Sequence, residues 1–320
     1  MYTNLIERMH IELTNRCNAA CPSCARTGPH KGNLAKHMVG SGWHDISLAD
    51  IKKLCSNPVL KNLRRVHLCG NFGDPAVAPD FFKVVKYFAD DGVKVSVSTN
   101  GHPHKPEDWA AIAHKNVHIA WHIDGDEDTN HIYRIGTNFN RIIENAKSFI
   151  SAGGKAEWVL IPFAHNEHVI EKCETLANDL GFRKFRVKRS YRTANNGKKP
   201  NDIQLPTNTD LINPIATDRQ DKEIICKGQK DDEIYLASDG DVFPCCWWGT
   251  YFWERKYSSL INEFEYLIDF DHNIHKTDID EILLNYKEKE DIYQLVWEDR
   301  AFHVCNRQCG SNKWDNRYRD

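Results

Sequence analysis

Residues 17–24 read CNAACPSC, so that three cysteines, Cys17, Cys21 and Cys24, are separated by gaps of three and two residues. The segment directly follows residues 10–14, HIELT, in which polar and apolar side chains alternate as in a half-buried strand. We therefore predict a tight loop at the end of a strand that brings three thiols together. Thiolates are ligands for soft metals and for iron–sulfur clusters.

The number of thiols in this loop indicates what a cluster bound there would do. Three ligands leave the fourth iron of a cubane cluster without a protein partner, as catalytic metal sites leave one position open. A cluster that only carries electrons is normally held by four cysteines. The spacing predicts chemistry at iron, and a zinc knuckle is the alternative interpretation of the same residues.

The C-x3-C-x2-C spacing after a first strand resembles the hallmark loop of the radical S-adenosylmethionine (SAM) enzymes. The resemblance implies an α/β fold, a partial (β/α)6 TIM-like barrel, with a [4Fe–4S] cluster on Cys17, Cys21 and Cys24. It also implies that SAM binds the open iron and is cleaved reductively to methionine and a 5′-deoxyadenosyl radical. A flavodoxin or ferredoxin-type reductant is the implied electron donor.

Composition limits the partners and the location of the protein. The chain has 320 residues, enough for a barrel-like domain and a smaller one, and its net charge of −3 provides no global basic surface for nucleic acid. The longest apolar run, residues 158–163, is far too short to cross a membrane. Eleven cysteines, an odd number, suit a reducing compartment, so we expect a cytoplasmic protein.

Short apolar runs alternate with amphipathic stretches of helical spacing, which is typical of a parallel, barrel-type sheet. The predicted strands are residues 10–14, 65–68, 94–98, 118–123, 156–161 and 185–188. After about residue 190 this rhythm changes, so we predict a barrel in residues 1–215 and a smaller domain in residues 216–320. In the second part, residues 238–240, SDG, lie between two short apolar runs and predict a hairpin.

A second group of cysteines lies in the C-terminal third of the chain. Cys226, Gly240 and Cys245 follow the pattern C-x13-G-x4-C, and Cys305 and Cys309 come later. This pattern resembles the SPASM and twitch extensions of part of the radical SAM family. It implies a small α+β, twitch-like iron–sulfur domain in which these four thiols hold one auxiliary [4Fe–4S] cluster.

Cys246 directly follows Cys245, and adjacent side chains on an extended segment face opposite ways. One of the two cysteines is therefore left over, and the position relative to Gly240 favours Cys245 as the ligand. We interpret Cys246 either as a small buried apolar residue or as a catalytic thiol that returns hydrogen to the substrate.

The ends of the predicted strands carry residues that match family segments in contact with SAM. After the second strand, residues 72–75 read FGDP, similar to the GGEP turn of the family, although Asp74 stands where the family has glutamate. The glycine, Gly73, lets the backbone approach closely, and a carboxylate accepts hydrogen bonds from the methionine ammonium. By the same resemblance, further contacts are expected from Ser98, Asn100, His122 (where the family often has serine), Asp124, and Lys188 or Arg189.

The predicted function is removal of a hydrogen atom from an unactivated C–H bond. Oxidation or bond formation would follow, with the auxiliary cluster as electron acceptor. Epimerisation with Cys246 as hydrogen donor is the first alternative. A non-catalytic electron carrier or zinc-binding module is the alternative of another class, and it would require none of the strand-end residues.

The substrate is predicted only as a small metabolite or a peptide. Because the cysteine loop begins at residue 17, we expect no peptide-recognition domain before it, which weakens the peptide alternative. The window 183–199 holds eight basic residues and no acidic one, which suits an acidic leader peptide or a phosphorylated metabolite equally.

Overall fold

The computed structural model describes residues 6–27, 42–189, 203–212, 224–256, 263–298 and 302–309. Eight strands in these ranges form one sheet. They are β1 (Arg8–Ile11), β2 (Arg65–Leu68), β3 (Lys94–Thr99), β4 (Val117–His122), β5 (Lys155–Leu160), β6 (Lys184–Val187), β7 (Glu233–Leu236) and β8 (Val242–Phe243). The six strands predicted for the barrel are confirmed, with ends that differ by at most three residues.

The order of the strands in the sheet is β6-β5-β4-β3-β2-β1-β7-β8. Each of β1 to β5 pairs in parallel with the following strand, and β7 adds to the other side of β1, also in parallel. All seven strands therefore end at the same edge of the sheet. This is the predicted α/β architecture, a partial TIM-like barrel whose carboxyl edge collects the strand-end residues.

Helices cover the outer face of the barrel and make up most of the C-terminal part. The described α-helices are α1 (Leu48–Cys55), α2 (Phe81–Asp90), α3 (Pro106–Ala110), α4 (Asn130–Tyr133), α5 (Phe139–Ser151), α6 (Ile170–Asp179), α7 (Lys227–Lys230), α8 (Cys246–Lys256), α9 (Ile279–Glu288), α10 (Glu290–Glu298) and α11 (His303–Cys309). Short 3-10 helices are Pro58–Leu60, Pro75–Val77, Glu167–Val169, Thr209–Leu211 and Glu265–Leu267. No helix in these ranges is long and apolar enough to span a bilayer.

The core lies between the sheet and these helices, and the sequence periods explain it. On α2, Phe81, Val84 and Phe88 are spaced to lie on one helix face, and all three are buried. Alternation along the strands buries Val95 on β3 and Trp121 on β4 in the same cluster. Complete burial of such a side chain contributes about 1.5–3 kcal/mol to the free energy of unfolding.

The predicted hairpin is confirmed by the antiparallel pairing of β7 and β8. Gly240 turns the chain between them with a φ of +91°, and a Cβ there would lie 2.6 Å from the His275 ring. β7 is a strand of the barrel sheet and not of a separate one, because β1 offers it a second edge for parallel pairing. The predicted domain boundary between residues 215 and 216 falls outside the described ranges and stays a prediction.

Candidate active site

The loop after β1 carries the three cysteines of residues 17–24 to the carboxyl edge of the barrel. The loop is folded by turns, including a 3.0 Å hydrogen bond from the N–H of Cys24 to the carbonyl of Cys21. Cys21 is buried, and Cys17 and Cys24 are half-buried. Burial is the main cause that raises the pKa of Cys17 to about 12, and the charges of Asp74 and Cys21 act in the same direction. The pKa of Cys21 is also raised, mainly by burial, so Cys17 and Cys21 depend on a bound cation to deprotonate at neutral pH.

Donor groups surround the sulfurs of this loop. The backbone N–H of Ala19 donates to Sγ of Cys17 over 3.4 Å, and Nδ2 of Asn100 lies 3.9 Å from the same sulfur. Nη1 of Arg134 lies 3.8 Å from Sγ of Cys21. Hydrogen bonds to cysteine sulfurs stabilise anionic iron–sulfur clusters, so these surroundings fit a cluster on the three thiols.

A turn that only glycine can form lies directly beneath the loop. A Cβ on Gly73 would lie 1.8 Å from the carbonyl oxygen of Thr14. The buried carboxyl of Glu12 holds this turn, because its Oε1 accepts from the N–H groups of Phe72 (2.8 Å) and Gly73 (2.9 Å). Its Oε2 accepts from the hydroxyl of Tyr235 on β7 over 2.5 Å. The turn, β1 and β7 are thus joined through one side chain.

We expect Gly73→Ala to prevent the loop from assembling. Its Cβ would collide with backbone atoms, which cannot move aside, and we expect a loss of about 3 kcal/mol or more in the free energy of unfolding. Anaerobic reconstitution should then give less iron per chain than the unmodified protein. Gly92→Ala is the matched control, because its φ of +83° costs about 1–2 kcal/mol but its Cβ meets nothing within 4 Å. Equal stability and iron content in the two variants would contradict this prediction.

Asp74 is buried at the start of the Pro75–Val77 turn, and its carboxylate accepts four hydrogen bonds. Oδ1 accepts from the N–H of Ala76 (3.0 Å) and the hydroxyl of Thr99 (2.7 Å). Oδ2 accepts from both the backbone N–H and Nδ2 of Asn100, each over 2.7 Å. Asp74 therefore orients Asn100 toward Cys17, and its predicted contact with SAM stays a prediction.

Asp124 at the end of β4 is completely buried and paired with Arg134. Nε of Arg134 lies 2.6 Å from Oδ2, and Oδ1 accepts from the N–H of Ile161 over 2.6 Å. The same guanidinium reaches Cys21, so the pair links the cysteine loop to the ends of β4 and β5. The role of Asp124 toward a ribose stays a prediction.

The other predicted SAM contacts lie at different depths. Ser98 is buried and its hydroxyl hydrogen-bonds with the thiol of Cys69. Lys188 is half-buried, and its charge acts against the burial that raises the pKa of Cys69 to about 11. His122 is half-buried at the end of β4. Arg189 is exposed, so the structure brings Lys188 and not Arg189 toward the interior.

The four C-terminal thiols of the second cysteine group come together around Cys245. Burial is the main cause that raises the pKa of Cys245, followed by the charge of the adjacent Cys246 and then by those of Cys226, Cys309 and Cys305. Nε1 of Trp248 donates to Sγ of Cys305 over 3.2 Å. Four adjacent thiols with an N–H donor fit an auxiliary iron–sulfur cluster, although its presence stays a prediction.

Cys246, the first residue of α8, lies against the barrel. Burial raises the pKa of its thiol, and the charges of Glu233, Cys69 and Glu12 act in the same direction. Its carbonyl accepts from Nδ2 of Asn71 over 3.0 Å. The pair of adjacent cysteines therefore bridges the four-thiol group and the inner face of the barrel.

Sequence reasoning missed Glu12 and Arg134. Glu12 is a carboxylate at an inward position of a predicted strand, between Ile11 and Leu13, and this placement was a usable signal. Arg134 had none, because it lies in a turn ten residues after Asp124 and only the fold brings it to Cys21.

The parallel sheet and the three-thiol loop at its carboxyl edge together define an iron–sulfur barrel protein. A family profile of the radical SAM superfamily matches residues 11–179, more than half of the 320 residues. The chain therefore belongs to the radical SAM superfamily. Members of this superfamily carry a SAM-binding [4Fe–4S] cluster, and membership supports an enzyme that uses reductive cleavage of SAM. A comparison with curated proteins finds no match.

Solved structures of two proteins share the fold. Streptococcus suis SuiB bound to S-adenosylmethionine gives a TM-score of 0.54 at 15% sequence identity, covering 77% of this chain and 61% of SuiB. The structure of anSMEcpe with bound AdoMet gives a TM-score of 0.55 at 13% identity, covering 94% of this chain and 85% of that one. The chain thus spans about three fifths of the length of SuiB. At these identities the likeness shows the fold.

Proposed function

We propose that this chain removes a hydrogen atom from an unactivated C–H bond of its substrate and completes the reaction by oxidation or bond formation. One observation carries the proposal. The three-thiol loop and the four-thiol group both adjoin the barrel, the first through Asn100 and Asp74 and the second through Cys246. A substrate radical formed inside the barrel would therefore lie near an electron acceptor held by the second group.

The residues of the loop have distinct roles in this proposal. Cys17, Cys21 and Cys24 would hold a [4Fe–4S] cluster, which with bound SAM supplies an organic radical on one-electron reduction by a flavodoxin or ferredoxin-type protein. Asp74 keeps the Asn100 amide beside Cys17, and Arg134 provides positive charge at Cys21.

A small apolar cluster excludes water from the loop. Tyr133, Ile161 and Phe163 are buried and pack with Cys21, and Cys17 and Cys24 lie against the same cluster. Exclusion of water protects a reactive radical from side reactions.

We assign the auxiliary cluster to Cys226, Cys245, Cys305 and Cys309, where it would serve one-electron transfer. Cys245→Ala should then lower the iron content from about eight to about four per chain, because one ligand of a cubane is lost. Cys246→Ala, a neighbouring change of the same size, should keep about eight iron. Iron and sulfide analysis after anaerobic reconstitution measures both. Loss of iron in Cys246→Ala with retention in Cys245→Ala would reverse the assignment.

Epimerisation is the second candidate function, favoured by the position of the Cys246 thiol at the barrel. In that reaction the thiol would donate a hydrogen atom to the substrate radical, and its hydrogen exchanges with solvent. Turnover in deuterated water should place deuterium in the product only if this route operates. Oxidation or bond formation predicts an unlabelled product and a Cys246→Ala variant with retained turnover.

Peptides are the substrate class to test first. SuiB has been solved with its precursor peptide SuiA, and anSMEcpe with a peptide, Cp18Cys, on folds similar to this one. Part of the basic window at 183–199 lies outside the described residues, so its contribution to an acidic or phosphorylated substrate stays a prediction. Small metabolites are the second class in the same assay.

The decisive test is formation of 5′-deoxyadenosine. Protein reconstituted without oxygen and supplied with dithionite and SAM should form this nucleoside, and a true substrate should accelerate its formation. Zinc in place of iron, with no nucleoside formed, would overturn the proposed function.

A further inference from the structure

Two histidines and a cysteine meet on the inner face of the barrel, apart from both groups of cluster-type thiols. His10 on β1 is the register partner of His67 on β2, so their side chains lie side by side on the same face. Cys69 follows two residues after His67 and returns to that face. One potential ligand atom from each of these side chains lies within 4.8 Å of the other two.

We propose that His10, His67 and Cys69 form a mononuclear site for Zn²⁺ inside the barrel. Two imidazoles and one thiolate are a donor set that zinc prefers, with tetrahedral geometry. Three protein ligands leave a fourth position, as in catalytic zinc sites, and it would take water or a thiol or carboxylate of the substrate. This proposal does not depend on the reaction proposed above.

Hydrogen bonds from the surrounding protein hold both rings in one orientation. Nε2 of His10 lies 2.7 Å from the carbonyl oxygen of Cys69, and Nδ1 of His67 lies 2.8 Å from the hydroxyl of Ser96. The two ring centroids are 5.0 Å apart. Metal-ligating histidines are characteristically fixed in this way by a carbonyl or another polar group at one ring nitrogen. The arrangement therefore provides both the ligands and the contacts that orient them.

The protonation of the rings suits a metal. Burial lowers the pKa of His10 to about 4 and that of His67 to about 3, so both imidazoles are neutral at neutral pH. Only neutral imidazole has a nitrogen lone pair to bind a cation.

The charges near the thiol also allow a cation. Burial is the main cause that raises the pKa of the Cys69 thiol to about 11; the ammonium of Lys188 acts against this rise, and the carboxyl groups of Glu12 and Asp74 add to it. Because a bound cation releases the thiol proton, the resulting thiolate, favoured by the ammonium, would offset part of the charge of Zn²⁺.

The site is tested directly by measuring how much zinc the complete holoenzyme retains. Protein with its iron–sulfur clusters reconstituted would be incubated with Zn²⁺, desalted, and analysed for zinc, iron and sulfide. We expect about one zinc per chain that survives desalting, and X-ray absorption at the zinc edge with one sulfur and two imidazole ligands. Filling the cluster cysteines with iron first prevents them from capturing zinc.

Two variants and a control decide the outcome. Cys69→Ala should lower the retained zinc by about tenfold or more while iron and sulfide are unchanged. His67→Ala is the second variant in case the first does not fold. Cys173→Ala removes a buried thiol on α6 and should keep the zinc. A holoenzyme without retained zinc, or equal zinc in all variants, would overturn the site while leaving the proposed radical chemistry intact.

Discussion

Replacing Cys17, Cys21 and Cys24 together by alanine is expected to abolish the formation of 5′-deoxyadenosine. The three thiols are the ligands that the loop offers to a cluster, and the donors around them orient toward their sulfurs. Without them SAM has no iron to bind, so its reductive cleavage should fall to the background of free dithionite. Iron should fall from about eight to about four per chain, because the four C-terminal thiols are unchanged.

The matched control is a variant in which cysteines outside both cysteine groups are replaced by alanine. Cys55→Ala combined with Cys173→Ala removes two thiols from helices α1 and α6, away from both cysteine groups, and should keep iron content and nucleoside formation. Chromatography of the quenched reaction measures the nucleoside. Nucleoside formation at the original rate in the triple variant would remove the loop from the chemistry. Loss of all iron would show that the two groups assemble together.

Asp74→Asn is expected to reduce the rate of SAM cleavage by about 100-fold, because a misplacement of about 1 Å near the reacting groups has an effect of that size. Each oxygen of the Asp74 carboxylate accepts two hydrogen bonds from N–H or O–H groups. An asparagine amide would turn its NH2 toward at least one backbone N–H, either that of Ala76 or that of Asn100. A buried donor left without an acceptor costs about 1–3 kcal/mol, so the Asn100 segment should shift away from Cys17.

Thermal unfolding and nucleoside formation should be measured together for this variant. Asp90→Asn is the control, because Asp90 is an exposed helix residue whose ion pair with Lys86 contributes about 0–1 kcal/mol. A lowered rate in Asp74→Asn with a normal iron content would indicate that the carboxylate positions SAM. An unchanged rate would contradict the positioning role of Asp74.

The barrel was predictable because its signals are local. The β-rich runs and the helical spacing between them follow from the periods of strand and helix, and they placed six strands within three residues of their observed ends. The largest error was at β1, which was predicted as residues 10–14 and is Arg8–Ile11. Residues 12–14 keep the alternating pattern beyond the end of the strand: the N–H of Glu12 still donates to the carbonyl of Leu236, and Thr14 bridges to Asp45.

The sequence by itself determined the cysteine loop, the parallel barrel, the hairpin around Gly240 and the family, because these depend on spacing along the chain. The tertiary structure decided which side chains meet across strands. It brought Arg134 to Asp124 and Cys21, and it brought Thr99 and Asn100, at the end of β3, to the carboxylate of Asp74. It also placed His10 beside His67. Such contacts depend on the register and curvature of the sheet, which many residues set jointly and no short motif records.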